Sequence, residues 1–246
     1  MRKPLVILAG LVVLAVIAVG VGIGVFLLRD DDANLATEAP QIPTTTAGAV
    51  ATTSPTVPAG GTPVTLPAGV LHFAIDPAQS SAKYVVREKL SRLPVSSDAV
   101  GETSSIAGDL YLSAEGLTTT PASTFKVDLR QLKTDESMRD NYVRSNVLQT
   151  SRFPFAEFTI TQVTGFPANY AENSEVSVTL SGSMTIHGVT KPVTFAVKAR
   201  QAGNTLTATA DTDFKMSDFG ITPPRVSIAT SEDGVHVQVV LVARIV

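Results

Sequence analysis

The sequence of 246 residues contains no cysteine. The protein therefore has no disulfide bond, thiolate metal site, covalent haem attachment or cysteine nucleophile. Its three histidines, His72, His187 and His236, are too far apart in the chain to show the spacing of metal ligands. We therefore predict neither a metal site nor a cofactor.

Charge is also scarce, because only 17% of the residues are charged and the net charge is −3. No basic stripe is present, so binding to nucleic acid has no electrostatic support. The sequence also shows no nucleophile paired with a base and no prominent pair of carboxylates. We therefore predict a protein that is not an enzyme and has no catalytic residues.

One long hydrophobic run, at residues 5–28, stands near the start of the chain. As a helix it would span about 36 Å, more than the roughly 30 Å of a bilayer core. Two basic residues precede the run and three aspartates follow it, which places the N-terminus in the cytoplasm. We predict a cytoplasmic tip at 1–4, a single-pass transmembrane helix at 5–28 and an extracytoplasmic remainder anchored to the cell membrane. A cleaved signal peptide is the alternative, although its apolar region would be unusually long.

Residues 29–68 are predicted to be a linker. Of the 36 residues from 33 to 68, 23 are Ala, Thr or Pro, and Glu38 is the one charged residue. Such a segment buries too little apolar surface to offset the entropy lost on ordering. We expect a disordered tether, and a glycosylated Thr/Pro stalk is an alternative with the same composition.

Apolar and polar residues alternate through most of the remaining chain, residues 69–246. In one stretch Val176, Val178 and Leu180 oppose Ser177 and Thr179. Strands with one dry and one wet face are typical of antiparallel sheets. Eight or so such strands with short turns can close into a barrel without free edges. The fold class is therefore all-β, with a two-sheet sandwich as the competing architecture.

Two stretches depart from the alternation. Residues 92–101 are polar and are predicted to form a loop. Met138 and Tyr142 stand four residues apart, which indicates a short amphipathic helix near the middle of the chain. Thr134 is the predicted cap of that helix. A single helix at this position fits a barrel with a covered mouth better than it fits a sandwich.

Several motifs carry a resemblance to a known family. They are Phe73-Ala74-Ile75-Asp76 with Ser80-Ser81-Ala82, Arg139-Asp140-Asn141 with Ser145, Phe153-Pro154-Phe155-Ala156-Glu157-Phe158, the hairpin Leu180-Ser181-Gly182-Ser183-Met184-Thr185-Ile186-His187-Gly188-Val189-Thr190-Lys191-Pro192-Val193, and Asp218-Phe219-Gly220-Ile221. Together they resemble the YceI family of exported lipid-binding proteins, over residues 71–246. The hairpin is the most specific of these motifs.

The resemblance implies an eight-stranded antiparallel, lipocalin-like barrel at residues 69–246. It also implies that an apolar interior holds an isoprenoid lipid, such as a quinone or a polyprenyl alcohol or phosphate, for sequestration or transport. The helix residues Arg139, Asp140 and Tyr142 would then stand at the mouth, near the head group. The inward-facing residues that would contact the ligand are Phe125, Val127, Leu129, Phe158, Ile160, Val178, Leu180, Met184, Ile186, Phe195, Val197, Leu206, Ala208, Phe214, Val239 and Leu241.

Three alternatives remain open at this point. The inward rows would fill the core of a packed barrel that serves as an interaction module, although small inward residues such as Gly182 and Ala208 favour a cavity. Arg139 and Asp140 would form a local ion pair on a solvated helix. An enzyme acting on a lipid-like substrate would use Arg139, Asp140 or Glu157 as acid–base groups. The oligomeric state is open, and a homodimer is compatible with these features.

Overall fold

The computed structural model describes residues 34–42, 66–91, 95–114 and 116–246. The predicted cytoplasmic tip and transmembrane helix, at 1–4 and 5–28, lie outside these residues. In the described part of the chain, no helix is long and apolar enough to cross a membrane. The chain divides into two compact units, and the second, Ala36–Val246, contains every strand named below.

Twelve strands and one short α-helix make up the described fold. The strands are β1 (Leu71–Ile75), β2 (Ser81–Leu90), β3 (Ser96–Thr103), β4 (Ile106–Ser113), β5 (Gly116–Leu117), β6 (Thr124–Asp128), β7 (Phe155–Thr164), β8 (Val176–Ile186), β9 (Val189–Ala202), β10 (Thr205–Lys215), β11 (Arg225–Val226) and β12 (Ala229–Ile245). The helix α1 (Ser137–Tyr142) lies between β6 and β7 and continues into one π-helical turn, Val143–Val147.

Strand β12 closes the sheet into a barrel. One edge of β12 pairs with β10, and the other edge pairs with β2 along its first half and with β1 at its end. From β1 the ring continues through β4, β6, β7, β8 and β9 back to β10, with every pair antiparallel. This closed ring of eight strands confirms the predicted barrel and rules out the sandwich.

The prediction of a loop at 92–101 was wrong for its second half. Residues Ser96–Thr103 form β3, which pairs with β2 from Ala82↔Thr103 to Lys89↔Ser96. The start of β3 is Ser96-Ser97-Asp98, which has neither the alternation nor the composition of a strand. It forms because β2 offers a backbone edge that must be paired, and such pairing overrides a weak local preference.

The predicted helix near the middle of the chain is present, but its cap is not Thr134. The side chain of Glu136 accepts a hydrogen bond from the Met138 N–H at 3.1 Å and so caps α1. Thr134 instead donates its N–H and its hydroxyl to Asp140, both at 2.8 Å. The carboxylate of Asp140 therefore holds the chain that leads into the helix.

Two glycines in the β8–β9 region are required by geometry. The two-residue turn between these strands, His187-Gly188, has positive φ at both positions, +54° and +75°, which suits a type I′ hairpin. Gly182 on β8 lies under the ring of Phe158, since a Cβ atom there would stand 2.6 Å from Cζ of that ring and 2.2 Å from the Thr159 carbonyl oxygen. The space at Gly182 is thus filled by Phe158 and adds nothing to a cavity.

Part of the predicted disordered linker is ordered. Residues 36–42 lie against the outer wall of the barrel, where Ala39 is only 2% exposed. The contacts that hold this segment come from β9, β10 and β12 and from the residue that precedes β8.

Candidate ligand-binding cavity

The interior of the barrel contains two apolar cavities. Their volumes are about 570 Å³ and 860 Å³, and we call them the small cavity and the large cavity. Both volumes lie in the range of about 300 to 1,000 Å³ that is typical of small-molecule sites. Each cavity is lined by the inward rows of the strands, because alternate side chains of a strand point to the same face.

All sixteen residues predicted for the barrel interior lie on the cavity walls. The small cavity is lined by Ile160, Val178, Leu180, Val197, Leu206, Ala208 and Leu241. The large cavity is lined by Val127, Leu129, Phe158, Met184, Ile186 and Phe214. Both cavities share Phe125, Phe195 and Val239. Contact of these residues with a ligand stays a prediction.

Three phenylalanine rings stand where the two cavities meet. The ring centroid of Phe158 lies 5.2 Å from that of Phe125 and 5.0 Å from that of Phe195, and the latter two are 5.9 Å apart. These distances are typical of tilted and edge-to-face aromatic pairs. We call Phe125, Phe158 and Phe195 the aromatic partition, because they separate the small cavity from the large one.

Helix α1 and the following π-helical turn cover one end of the large cavity. Arg139 and Tyr142, two of the three predicted mouth residues, line it, as do Val143 and Val147. Asp140 does not line either cavity, since its carboxylate is bound to Thr134 as described above. The prediction for Asp140 therefore finds no support in its position.

The guanidinium of Arg139 is shared between two carboxylates. One nitrogen donates to Glu88 on β2 at 2.8 Å, and another donates to Asp135 at 2.5 Å. Burial acts to lower the pKa of Arg139, but the negative charges of Glu88 and Asp135 outweigh it, and the pKa is raised. The alternative of a local pair between Arg139 and Asp140 is wrong, because the local partner is Asp135, four residues earlier.

Sequence analysis missed two polar residues of the large cavity, Tyr84 and Glu88. Both stand on the inward row of β2, between Ala82 and Leu90. Burial raises the pKa of Tyr84 to about 12, so its hydroxyl stays protonated at neutral pH. The sequence did contain a signal for Glu88, because a carboxylate on the apolar row of a strand is unusual unless it has a partner.

The two cavities differ in charge. Among the described residues that line the small cavity, Arg200 is the only charged one, and it is paired with Glu175 at 3.0 Å. The lining of the large cavity includes two cations and four carboxylates, namely Lys83, Arg139, Glu88, Asp135, Glu136 and Glu157. The covered end of the large cavity thus brings Tyr84, Glu88 and Arg139 together, whereas the described lining of the small cavity is mainly apolar.

Solved structures show that this barrel is a known fold. A polyisoprenoid binding domain from Saccharophagus degradans matches with a TM-score of 0.56 and 16% identity, covering 72% of this chain and 99% of that one. BcnA of Burkholderia cenocepacia matches with a TM-score of 0.52 and 21% identity, covering 68% of this chain and 98% of that one. The barrel accounts for almost all of both proteins.

Two UPF0312 proteins are similar in sequence to part of this chain. A UPF0312 protein of Shewanella baltica is 31% identical over 162 residues, which cover 58% of this chain and 79% of that protein. A UPF0312 protein of Pseudomonas putida (strain W619) is 30% identical over 126 residues, or 48% of this chain. This chain spans 62% of the Pseudomonas protein, less than two thirds of its length.

The family model of the YceI-like domain matches residues 73–243, which include all eight strands of the closed ring except the ends of β1 and β12. The match covers well over half of the chain, and the barrel closure, the hairpin and the helix near the middle agree with it. The chain belongs to the YceI-like domain family.

Proposed function

We propose that the barrel binds one isoprenoid lipid, with its chain in the apolar cavities and its head group near helix α1. The observation that carries this proposal is the pair of apolar cavities, because a packed interaction module would have a filled interior. An apolar cavity gains stability from an apolar occupant, at about 0.8 kcal/mol for each buried CH₂ group. A prenyl chain supplies that occupant, and the polyisoprenoid binding domain of Saccharophagus degradans offers a related precedent.

The lining supports a defined orientation of the ligand. The small cavity suits the end of the hydrocarbon tail, since its described lining is mainly apolar and Arg200 within it is already paired. The covered end of the large cavity suits a polar head group, because Tyr84, Glu88 and Arg139 converge on it. A chain that reaches both cavities passes the aromatic partition, so Phe195 and its neighbours limit how far the tail extends.

The charges near α1 favour a head group without negative charge. Arg139 already has two carboxylate partners, Glu88 and Asp135, for its single positive charge. A phosphate would therefore meet repulsion at this end of the cavity. A quinone or alcohol oxygen would instead accept hydrogen bonds from the Tyr84 hydroxyl and the Arg139 guanidinium, and an alcohol would also donate to the Tyr84 oxygen.

We further propose that the chain works as a membrane-tethered extracytoplasmic binding protein. The apolar run at residues 5–28 and the charges on either side of it support this proposal. A tethered barrel would stay close to the bilayer in which isoprenoid lipids dissolve. Binding rather than catalysis fits the site, because Arg139, Asp140 and Glu157 are all engaged in hydrogen bonds or ion pairs.

Native mass spectrometry of residues 34–246, with organic extraction of the same sample, tests the proposal. The protein should be made by export from the cytoplasm, so that it meets its lipid. We expect a co-purifying mass that matches a prenyl quinone or prenyl alcohol at one copy per barrel. A folded barrel that stays empty when it is offered these lipids in detergent would contradict the proposal.

A further inference from the structure

We call residues 36–42 the strap, and its residues 36–40 lie in register along the outer face of β10. The Thr209 hydroxyl donates to the Glu38 carbonyl oxygen at 2.8 Å, and the Thr207 hydroxyl donates to the Pro40 carbonyl oxygen at 2.7 Å. The strap and the strand thus advance by two residues together and run in opposite directions. Outward side chains repeat every two residues along a strand. The hydroxyl donors of Thr207 and Thr209 therefore have the same spacing as every second carbonyl group of an extended peptide.

Gln238 on β12 continues the same register at Ala36. Its side-chain carbonyl oxygen accepts the Ala36 N–H at 2.7 Å, and its amide nitrogen donates to the Ala36 carbonyl oxygen at 2.9 Å. The same amide nitrogen donates to Asp211 at 2.7 Å, and Asp211 is the residue opposite Gln238 in the β10–β12 pairing. The Gln238 amide therefore forms two hydrogen bonds with Ala36 of the strap and is itself oriented by a hydrogen bond to Asp211.

Two odd-numbered residues of the strap, Thr37 and Ala39, are held from the other side. Lys198 on β9 donates to the Thr37 carbonyl oxygen at 2.5 Å, and Glu175, just before β8, accepts the Ala39 N–H at 3.2 Å. Contacts thus alternate along the strap between the two sides of the wall. Even-numbered residues of the strap are held by β10 and β12, and Thr37 and Ala39 are held by β9 and Glu175, so the hydrogen bonds follow the period of an extended chain.

The contacts are polar, which makes the strap detachable. Apart from Ala39, the groups that it covers are mainly the side chains of Thr207, Thr209 and Gln238, each only 2% exposed. Water would satisfy these groups if the strap left, so no apolar core would be exposed. The hydrogen bonds are offset by the entropy of ordering seven residues. The 23 residues from 43 to 65 connect the strap to the barrel and keep its effective concentration high.

We propose that the outer wall of β9, β10 and β12 is a binding site for an extended peptide with alternating carbonyl acceptors, and that its occupant is the strap of the same chain. The strap binds reversibly and in cis. While bound, it holds residues 36–40 against the wall. This proposal does not depend on the nature of any ligand inside the barrel.

Double electron–electron resonance on the full-length chain in detergent micelles tests the proposal. The absence of cysteine lets two spin labels be placed at Gln41→Cys on the strap and Lys191→Cys on β9, both exposed positions. A bound strap gives a narrow distance distribution. Gln238→Glu is expected to broaden it, because a carboxylate cannot donate to Ala36 and is repelled by Asp211. The control Gln162→Glu makes the same change on the exposed outer face of β7 and should leave the distribution narrow.

A second variant separates loss of the strap from a damaged barrel. Thr207→Val with Thr209→Val removes two donors without changing side-chain volume, and its control is Thr179→Val at an exposed outward position on β8. We expect the double variant to broaden the distribution while its circular dichroism spectrum stays that of the parent. A broad distribution in the parent, or a narrow one in both wall variants, would overturn the proposal. A dipolar signal between singly labelled copies, mixed after labelling at Gln41→Cys or Lys191→Cys, would overturn binding in cis.

Discussion

Arg139 on α1 and Glu88 on β2 form an ion pair of 2.8 Å that ties the helix to the wall of the large cavity. Glu88 is 5% exposed, so its carboxylate depends on this partner for its hydrogen bonding inside the barrel. The pair therefore fixes both the polar end of the cavity and the position of the helix that covers it.

Replacement of Arg139 should destabilise the barrel. Arg139→Met leaves the Glu88 carboxylate buried without its charged partner, and we expect a loss of about 1–3 kcal/mol in the free energy of unfolding. Urea denaturation followed by circular dichroism measures it. The double variant Arg139→Met with Glu88→Met should recover most of the loss, since two apolar groups leave no unpaired charge. Equal losses in the single and double variants would contradict this account.

Filling the small cavity should prevent full entry of a lipid tail. Ala208 is 5% exposed and lines that cavity, so the indole ring of Ala208→Trp would occupy it. We expect native mass spectrometry to show a barrel that is folded but has lost most of its co-purified lipid. Ala107→Trp, on an exposed position of β4, is the matched control and should retain the lipid. Equal retention by both variants would show that the tail does not use the small cavity.

Opening the aromatic partition should lengthen the ligand that the barrel accepts. Phe195→Ala removes a ring that is 1% exposed and packs against Phe125 and Phe158, at an expected cost of about 3–5 kcal/mol. When a mixture of prenyl chain lengths is offered, the bound masses should shift to longer chains. Phe214→Ala, which widens only the large cavity, should not produce this shift. An unchanged mass distribution in Phe195→Ala would contradict the role of the partition.

Stability should fall between about pH 6.5 and pH 9 because of His236. Burial acts to lower the pKa of His236, but Asp211 at 3.3 Å and Asp213 at 3.1 Å outweigh it and raise the pKa to about 9. The folded state therefore binds the proton more tightly than the unfolded state does. This contribution, up to about 3 kcal/mol, is complete below the unfolded pKa and is lost as the pH rises through the folded pKa.

Urea midpoints measured from pH 6 to pH 10 check this dependence. His236→Gln should flatten the decline, because the titrating group is gone. Thr179→Val, which changes no titrating group at an exposed position of β8, is the control and should keep the decline of the parent. A decline that is identical in His236→Gln and in the parent would show that another group is responsible.

The alternation of apolar and polar side chains predicted most of the fold and most of the residues that line the cavities. Rows such as Val178-x-Leu180 and Leu206-x-Ala208 predicted which residues face inward, since strand geometry has a period of two. Polar residues on inward rows were harder to interpret. Glu88 was missed because its partner Arg139 lies 51 residues away, and only the closed barrel brings the two together.

Predictions from local sequence were wrong where contact with another part of the chain determines the structure. The first residues of β3 form a strand only because β2 lies beside them, and the strap is ordered only because β9, β10 and β12 present matching groups. The composition of residues 33–68 predicts disorder, because the segment has almost no apolar surface of its own. Composition does not show that side chains of β9, β10 and β12, more than 150 residues later, form hydrogen bonds with the strap.

Residue spacing along the chain was enough to predict the all-β class, the inward rows and the helix near the middle, and the motifs at fixed spacing were enough to predict the family. Tertiary structure decided that the interior contains two cavities, that three phenylalanines divide them and that Asp140 faces Thr134 rather than the mouth. It also decided that the strap binds the outer wall. These features depend on how side-chain volumes and hydrogen-bonding groups meet across a closed sheet, and that meeting is set by strand register rather than by any local pattern.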